Sequence, residues 1–173
     1  CHPAQTVVST DVDPAVLAGI AWAVTASSAD RSWAHDLVRQ AGGHPHDVPE
    51  SRRVLYHAAL TVASNAVGAA VATARQLLLS AGIGEPGAFL APLVDASVEN
   101  ATASGAAAIT GPVRRGDAGT IRRHLDALDA DVPQLAAAYR HLARAILAEV
   151  RIELSGEQAA ALESTLAGPE AGS

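Results

Sequence analysis

The 173-residue sequence contains no methionine, no lysine and a single cysteine, Cys1, and aromatic residues make up only 3% of it. Each scarcity removes a class of chemistry. Without lysine there is no Schiff base, no P-loop lysine and no lysine general acid, and all 12 basic side chains are arginines. One cysteine permits no internal disulfide and no cysteine-based zinc site. The 18 acidic side chains leave a net charge of -6, with no basic block and no interleaving of basic with aromatic residues. A phosphate-neutralising surface is missing from this pattern, so no nucleic-acid partner is expected.

The absent methionine bears on organisation. Translation needs a start, yet Cys1 stands directly before what reads as structured sequence, so the expectation is a piece of a longer protein. A processed lipoprotein also opens at cysteine, but a flexible linker normally follows, whereas His2-Pro3 leads straight into apolar sequence here.

What is abundant is alanine, 40 residues of it, in a chain that is 49% hydrophobic and about the size of one soluble domain. The first 50 residues read as short α/β pieces. An apolar run at 20–26 (IAWAVTA) is a strand, Ser27-Ser28 a cap, 29–41 a helix stopped by Gly42-Gly43, and 44–49 (HPHDVP) extended. Such a β-α-β unit normally belongs to the edge of a larger parallel sheet, and alone it would expose strand edges around Trp22 and Val24.

Beyond Arg52 the pattern is helical. Helices are expected over 53–80 and over 86–104, the second with Pro92 inside it. After the loop GPVRRGD at 111–117 comes a helix capped by Asp117 and reaching about 128. Asp131 with Gln134, and Ser155 with Gln158, read as capping boxes for a helix to about 152 and for a short last helix, and the tail at 167–173 is expected to be disordered. The fold class is therefore mainly α with a short β-α-β unit at the N-terminus.

Residues 54–74 run without a formal charge and are long enough to span a bilayer. Tyr56, His57, Thr61, Ser64, Asn65 and Thr73 interrupt the stretch, and alanine contributes little transfer energy, so no membrane partner is expected. A helix apolar on nearly all sides is instead a central one, covered by neighbouring helices or by a second subunit.

On that helix His57, Thr61, Ser64, Asn65 and Gly68 fall at i, i+4, i+7, i+8 and i+11, on one face. The stripe serves either a small polar ligand, such as a carboxylate or carbonyl held by His57 and Asn65, or an inter-helix hydrogen-bond network with Gly68 at a close crossing. The stretch from Thr110 to Asp117 has two readings as well. Its glycines and arginines before a helix N-terminus form an anion-binding corner, or Asp117 is an N-cap, Gly111-Pro112 a turn, and Arg114 and Arg115 are solvated. His2, His44 and His46 lack a third ligand at local spacing, so no metal site is expected, and His35, His124 and His141 are read as solvent-facing. The sequence is read as holding no glycine-rich nucleotide loop of the G-x-G-x-x-G type anywhere and no G-x-S-x-G elbow, so by itself the chain is expected to bind no cofactor and to be inactive.

The sequence resembles the bacterial proteins that join an N-terminal Rossmann-like domain to a C-terminal domain of unknown function, DUF2520. The resemblance rests on His2-Pro3-Ala4-Gln5-Thr6, Tyr56-His57-Ala58-Ala59 with Asn65, Asn100, and Ile109-Thr110-Gly111-Pro112-Val113-Arg114-Arg115-Gly116-Asp117 followed by His124-Leu125. It implies that 1–50 is the end of a Rossmann-like domain and 51–166 a helical domain similar to the C-terminal part of 6-phosphogluconate dehydrogenase relatives.

Such domains dimerise and form one wall of a substrate cleft in NAD(P)-dependent, ketopantoate reductase-like enzymes of the cytoplasm. Carried over, the resemblance makes His57 and Asn65 the expected catalytic residues, and His2, Asn100, Thr110 and Arg115 substrate-side residues. NADP or NAD would be held by the full-length protein, with a small 2-oxo acid as substrate and a homodimer as the assembly. Related enzymes carry a lysine general acid on the long helix, and His57 is its natural substitute here. The alternative is a non-catalytic dimerisation or ligand-binding module with no nucleotide site of its own.

Overall fold

The structure, a computed structural model, describes residues 1–7 and 13–168. It divides into two compact units, Cys1–Gly68 and Ala69–Ser173.

The first unit contains strands β1 (His2–Pro3), β2 (Ala21–Val24) and β3 (His44–Asp47), with helix α1 (Arg31–Gln40) between β2 and β3. The strand order is β1-β2-β3. β3 pairs parallel with β2, as a β-α-β unit demands, and β1 pairs antiparallel on the other side, His2 opposite Ala23. This corrects the expectation that Trp22 and Val24 lie on exposed edges, because β2 is the central strand. The two edges carry Pro3 and Pro45, residues that lack the N–H a further strand would need.

α1 ends where Gly42 adopts φ 80°, with the Gly42 and Gly43 amides donating to the Arg39 and Val38 carbonyls. These bonds satisfy carbonyls the helix end would otherwise leave open. Gly43 also lies against the Trp22 ring so closely that a Cβ there would collide with it. Val24, Ala34 and Val38 form the small core, with Trp22 and Ala26 packed on it.

Helix α2 (Arg53–Thr61), a π turn (Val62–Ala66) and helix α3 (Val67–Ser80) follow, where the sequence reads as one uninterrupted α-helix. The stretch from Glu50 to Ser80 equals a membrane span by length and composition. None of α2, the π turn or α3 contains a buried residue.

The second unit holds the rest: α4 (Pro86–Ser104), α5 (Ala118–Asp131), α6 (Pro133–Val150) and α7 (Gly156–Leu166). Ile121, Leu125 and Leu128 of α5, Leu135, Ala136, Ala143, Leu147 and Val150 of α6, and Leu162 and Leu166 of α7 form one core with Val113. Their i, i+3/i+4 and i+7 spacing puts one stripe of each helix inward.

The α7 capping box forms as expected, with Ser155 Oγ accepting from the Gln158 amide and Gln158 Oε1 from the Ser155 amide. The box expected at Asp131 does not. Asp131 closes α5, Val132 precedes α6 without a side-chain cap bond, and Pro133 takes the first helical position, which suits its fixed φ and missing N–H. α6 stops at Val150 rather than 152, continuing as a single 3-10 turn over Arg151–Glu153. Of the tail expected to be disordered, 169–173 lies outside the described residues.

Candidate functional site

In the first unit the polar stripe borders a hollow of about 510 Å³, lined by His2, His57, Thr61, Ser64 and Asn65 together with Leu60 and the chain at Ala4–Val7. β1 brings His2 to it. α2 and the π turn bring the other four, and the π turn holds both Ser64 and Asn65. Single π turns are frequent at functional sites, because a widened turn re-aims the side chains it carries.

The hydroxyls of the stripe are already committed as donors within their own helix. Thr61 Oγ1 donates to the His57 carbonyl at 3.0 Å and Ser64 Oγ to the Leu60 carbonyl at 2.8 Å, and Ser64 Oγ also lies 3.2 Å from Asn65 Oδ1. Among the described residues, none of these bonds reaches a second helix, as the inter-helix network reading requires. A Cβ on Gly68 would meet open space, so Gly68 marks no close crossing among the described residues.

The imidazoles of His2 and His57 stand 6.3 Å apart at 75°. His2 also meets Tyr56, for which the sequence pattern implies no role. Its hydroxyl is 3.1 Å from His2 Nδ1, with the two rings edge-on at 5.7 Å. Spacing could not reveal this contact, since the partners are 54 residues apart.

His2, His57 and Asn65 therefore share one hollow. Asn100, Thr110 and Arg115 lie in the second unit, Asn100 exposed on α4 and the other two exposed in the loop before α5. In that loop, Arg114 binds the Ala106 carbonyl and Glu153. The amides of Arg115, Gly116 and Asp117 donate to the carbonyls of Gly111, Val113 and Pro112. Asp117 Oδ1 and Oδ2 accept from the Thr120 amide and hydroxyl at 2.9 and 2.7 Å. These Thr120 bonds, aided by the nearby Arg123 and Arg115 charges, hold the Asp117 carboxyl below the ordinary carboxylate range. A carboxylate thus occupies the helix start that an incoming anion would need, as the capping reading requires.

The other histidines fall elsewhere. His35 is half-buried and meets Asp47 at 2.9 Å, whereas His124 and His141 are exposed as expected, His124 Nδ1 lying 2.7 Å from the Tyr139 hydroxyl. Burial pushes the Tyr139 phenol up. No group of three potential metal ligands occurs among the described residues.

The spacing G-x-G-x-x-G, expected nowhere in the chain, does occur, at Gly82, Gly84 and Gly87, which corrects that expectation. Its context is wrong for a dinucleotide, because it joins two helices rather than a strand to a helix. Gly82, at φ 86°, closes α3, and Glu85 and Pro86 open α4 with a negative charge where a pyrophosphate would sit. The residues of this turn do not fit a nicotinamide dinucleotide.

The family described as a domain of unknown function, DUF2520, matches residues 20–146. Among solved structures, the crystal structure of protein TM1727 from Thermotoga maritima is similar, with a TM-score of 0.70 and 17% identity, over 88% of this chain and 61% of that one. That likeness is one of fold, and this chain spans about 61% of the other's length. No curated protein matches the sequence.

Proposed function

The chain belongs to the DUF2520 family, and on that premise we propose that it is the dimerising, substrate-side part of a cytoplasmic NAD(P)-dependent reductase of a small 2-oxo acid, ketopantoate-like in class. The observation that carries the reading is the convergence of His2, His57 and Asn65 on one hollow. The cofactor is assigned to the Rossmann-like domain of which residues 1–50 would form the end, and it would supply the hydride when bound.

The groups of this chain do the rest. A carbonyl oxygen that gains negative charge needs a proton, and His57, one of the two imidazoles that line the hollow, is assigned to donate it. The Asn65 amide, at the π turn, orients the carbonyl or the carboxylate beside it. His2 supplies a second imidazole against the same ligand.

Dimerisation is supported by the long helix. Val54, Leu55 and Val62 are 85%, 65% and 66% exposed, a run of apolar surface that a second copy would cover.

The test is an assay of ketopantoate with NADPH on the protein together with its nucleotide-binding domain. His57→Ala is expected to lower turnover by about 10²-fold or more at unchanged melting temperature. Equal turnover in variant and parent removes the assigned role.

A further inference from the structure

We propose that Tyr56 is a positioning residue: it holds His2 in the tautomer whose Nε2–H faces the hollow, so that His2 and His57 offer donors to an oxygen acceptor, a carbonyl or carboxylate, of a small ligand. The proposal rests on reading the hollow as the ligand-binding wall.

Consecutive helix positions point about 100° apart. The neighbours Tyr56 and His57 therefore reach His2 differently: Tyr56 does not line the hollow and meets Nδ1 from outside it, while His57 lines the hollow with its ring 6.3 Å from that of His2. A half-buried phenol needs an acceptor for its proton, and the bare Nδ1 of a neutral imidazole, 3.1 Å away, provides one. The bond made by one ring nitrogen decides which nitrogen carries the hydrogen, so Nε2 bears the proton, and it is the nitrogen left for a ligand.

The rest of the lining points to the same ligand class. Thr61 and Ser64 have spent their hydroxyl protons on the His57 and Leu60 carbonyls. The donors left over on the stripe are the His57 imidazole and the Asn65 amide, with the His2 imidazole of β1 beside them, and donors recognise an acceptor oxygen.

The experiment is long-range nitrogen–proton NMR of the histidine rings in this chain, with and without pyruvate as the 2-oxo acid probe. The ligand-free parent is expected to show His2 in one tautomer, protonated on Nε2 and bare on Nδ1. Tyr56→Phe keeps the ring but removes the hydroxyl, and both His2 tautomers should then be populated, while His124, held by Tyr139, stays unchanged as the internal control. Pyruvate should shift the His2 and His57 nitrogens of the parent and bind about tenfold more weakly to the variant, the loss of about one hydrogen bond's worth of positioning.

A His2 protonated on Nδ1, or a tautomer indifferent to Tyr56→Phe, overturns the positioning role, and the parent spectrum decides this even if the variant fails to fold. A locked tautomer with no response to pyruvate overturns the ligand class. Neither readout depends on turnover, so a failed reductase assay is a separate result.

Discussion

Gln158 lies directly over Gly116: a Cβ added to Gly116 would fall 2.5 Å from Gln158 Nε2 and 2.7 Å from its Cδ and Cγ. The same side chain closes the α7 capping box and donates to the Arg115 carbonyl at 3.2 Å. One residue thus ties the start of the last helix to the loop before α5. Gly116 is also at φ 70°, a conformation that costs other residues about 1–2 kcal/mol. Gly116→Ala is therefore expected to destabilise the chain by at least that amount in chemical denaturation. Adding Gln158→Ala removes the collision, so the double variant should lose less than the sum of the singles. Strict additivity would mean that the two residues do not meet.

Asp117 caps α5 as a carboxylate, and its bonds to Thr120, chiefly the one from the hydroxyl, lower its pKa. A group whose folded pKa is depressed contributes stability that is present above its unfolded value and is lost as pH falls through the folded one. Asp117→Ala should therefore be less stable than the parent at neutral pH. The gap should shrink in acid, below the ordinary carboxylate range, when the parent's own carboxyl becomes protonated. Denaturant midpoints for both proteins across that range check this, and a gap that does not change with pH would exclude the charged cap.

The features legible in the sequence are those written within a few residues. Gly42-Gly43 stops α1, Asp117 starts α5 and Ser155 with Gln158 starts α7, because helix ends are set by local hydrogen bonds. The same local logic misplaced a cap at Asp131, where Pro133 outweighs it. What stayed hidden depends on partners far along the chain: the two-residue strand at His2, its pairing with Ala23, and the Tyr56 contact. The π turn under Asn65 was invisible for another reason, since its five residues carry the same apolar and polar pattern an α-helix would. Face periodicity therefore located His57 and Asn65, while their common hollow with His2 required the fold.

The second unit's core gives a sharp contrast between two apolar residues near one another in sequence. Leu162 is fully buried among α5, α6 and α7, whereas Ile152 is 93% exposed. Leu162→Ala removes packed methyl groups and should cost about 2–5 kcal/mol. Ile152→Ala should stay within about 0.5 kcal/mol of the parent. A comparable loss at both positions in denaturant titrations would indicate that Ile152 is covered in solution by something outside this chain.

The long helix poses the same question on a larger scale. Leu55 and Val62 are exposed in one chain, and leaving such side chains in water forfeits roughly 1.5–3 kcal/mol each. Burial against a second copy recovers that energy, and a charge placed there reverses the balance because it would be buried unpaired. Val62→Arg and Leu55→Arg should therefore turn a dimer into a monomer in sedimentation velocity, with helix content by circular dichroism unchanged, since neither residue packs in its own chain's core. Because the same stretch matches a bilayer in length, flotation with lipid vesicles separates the two covers. A parent that sediments as a monomer, or that floats with vesicles in preference to pairing with itself, would remove the dimer from the proposed function.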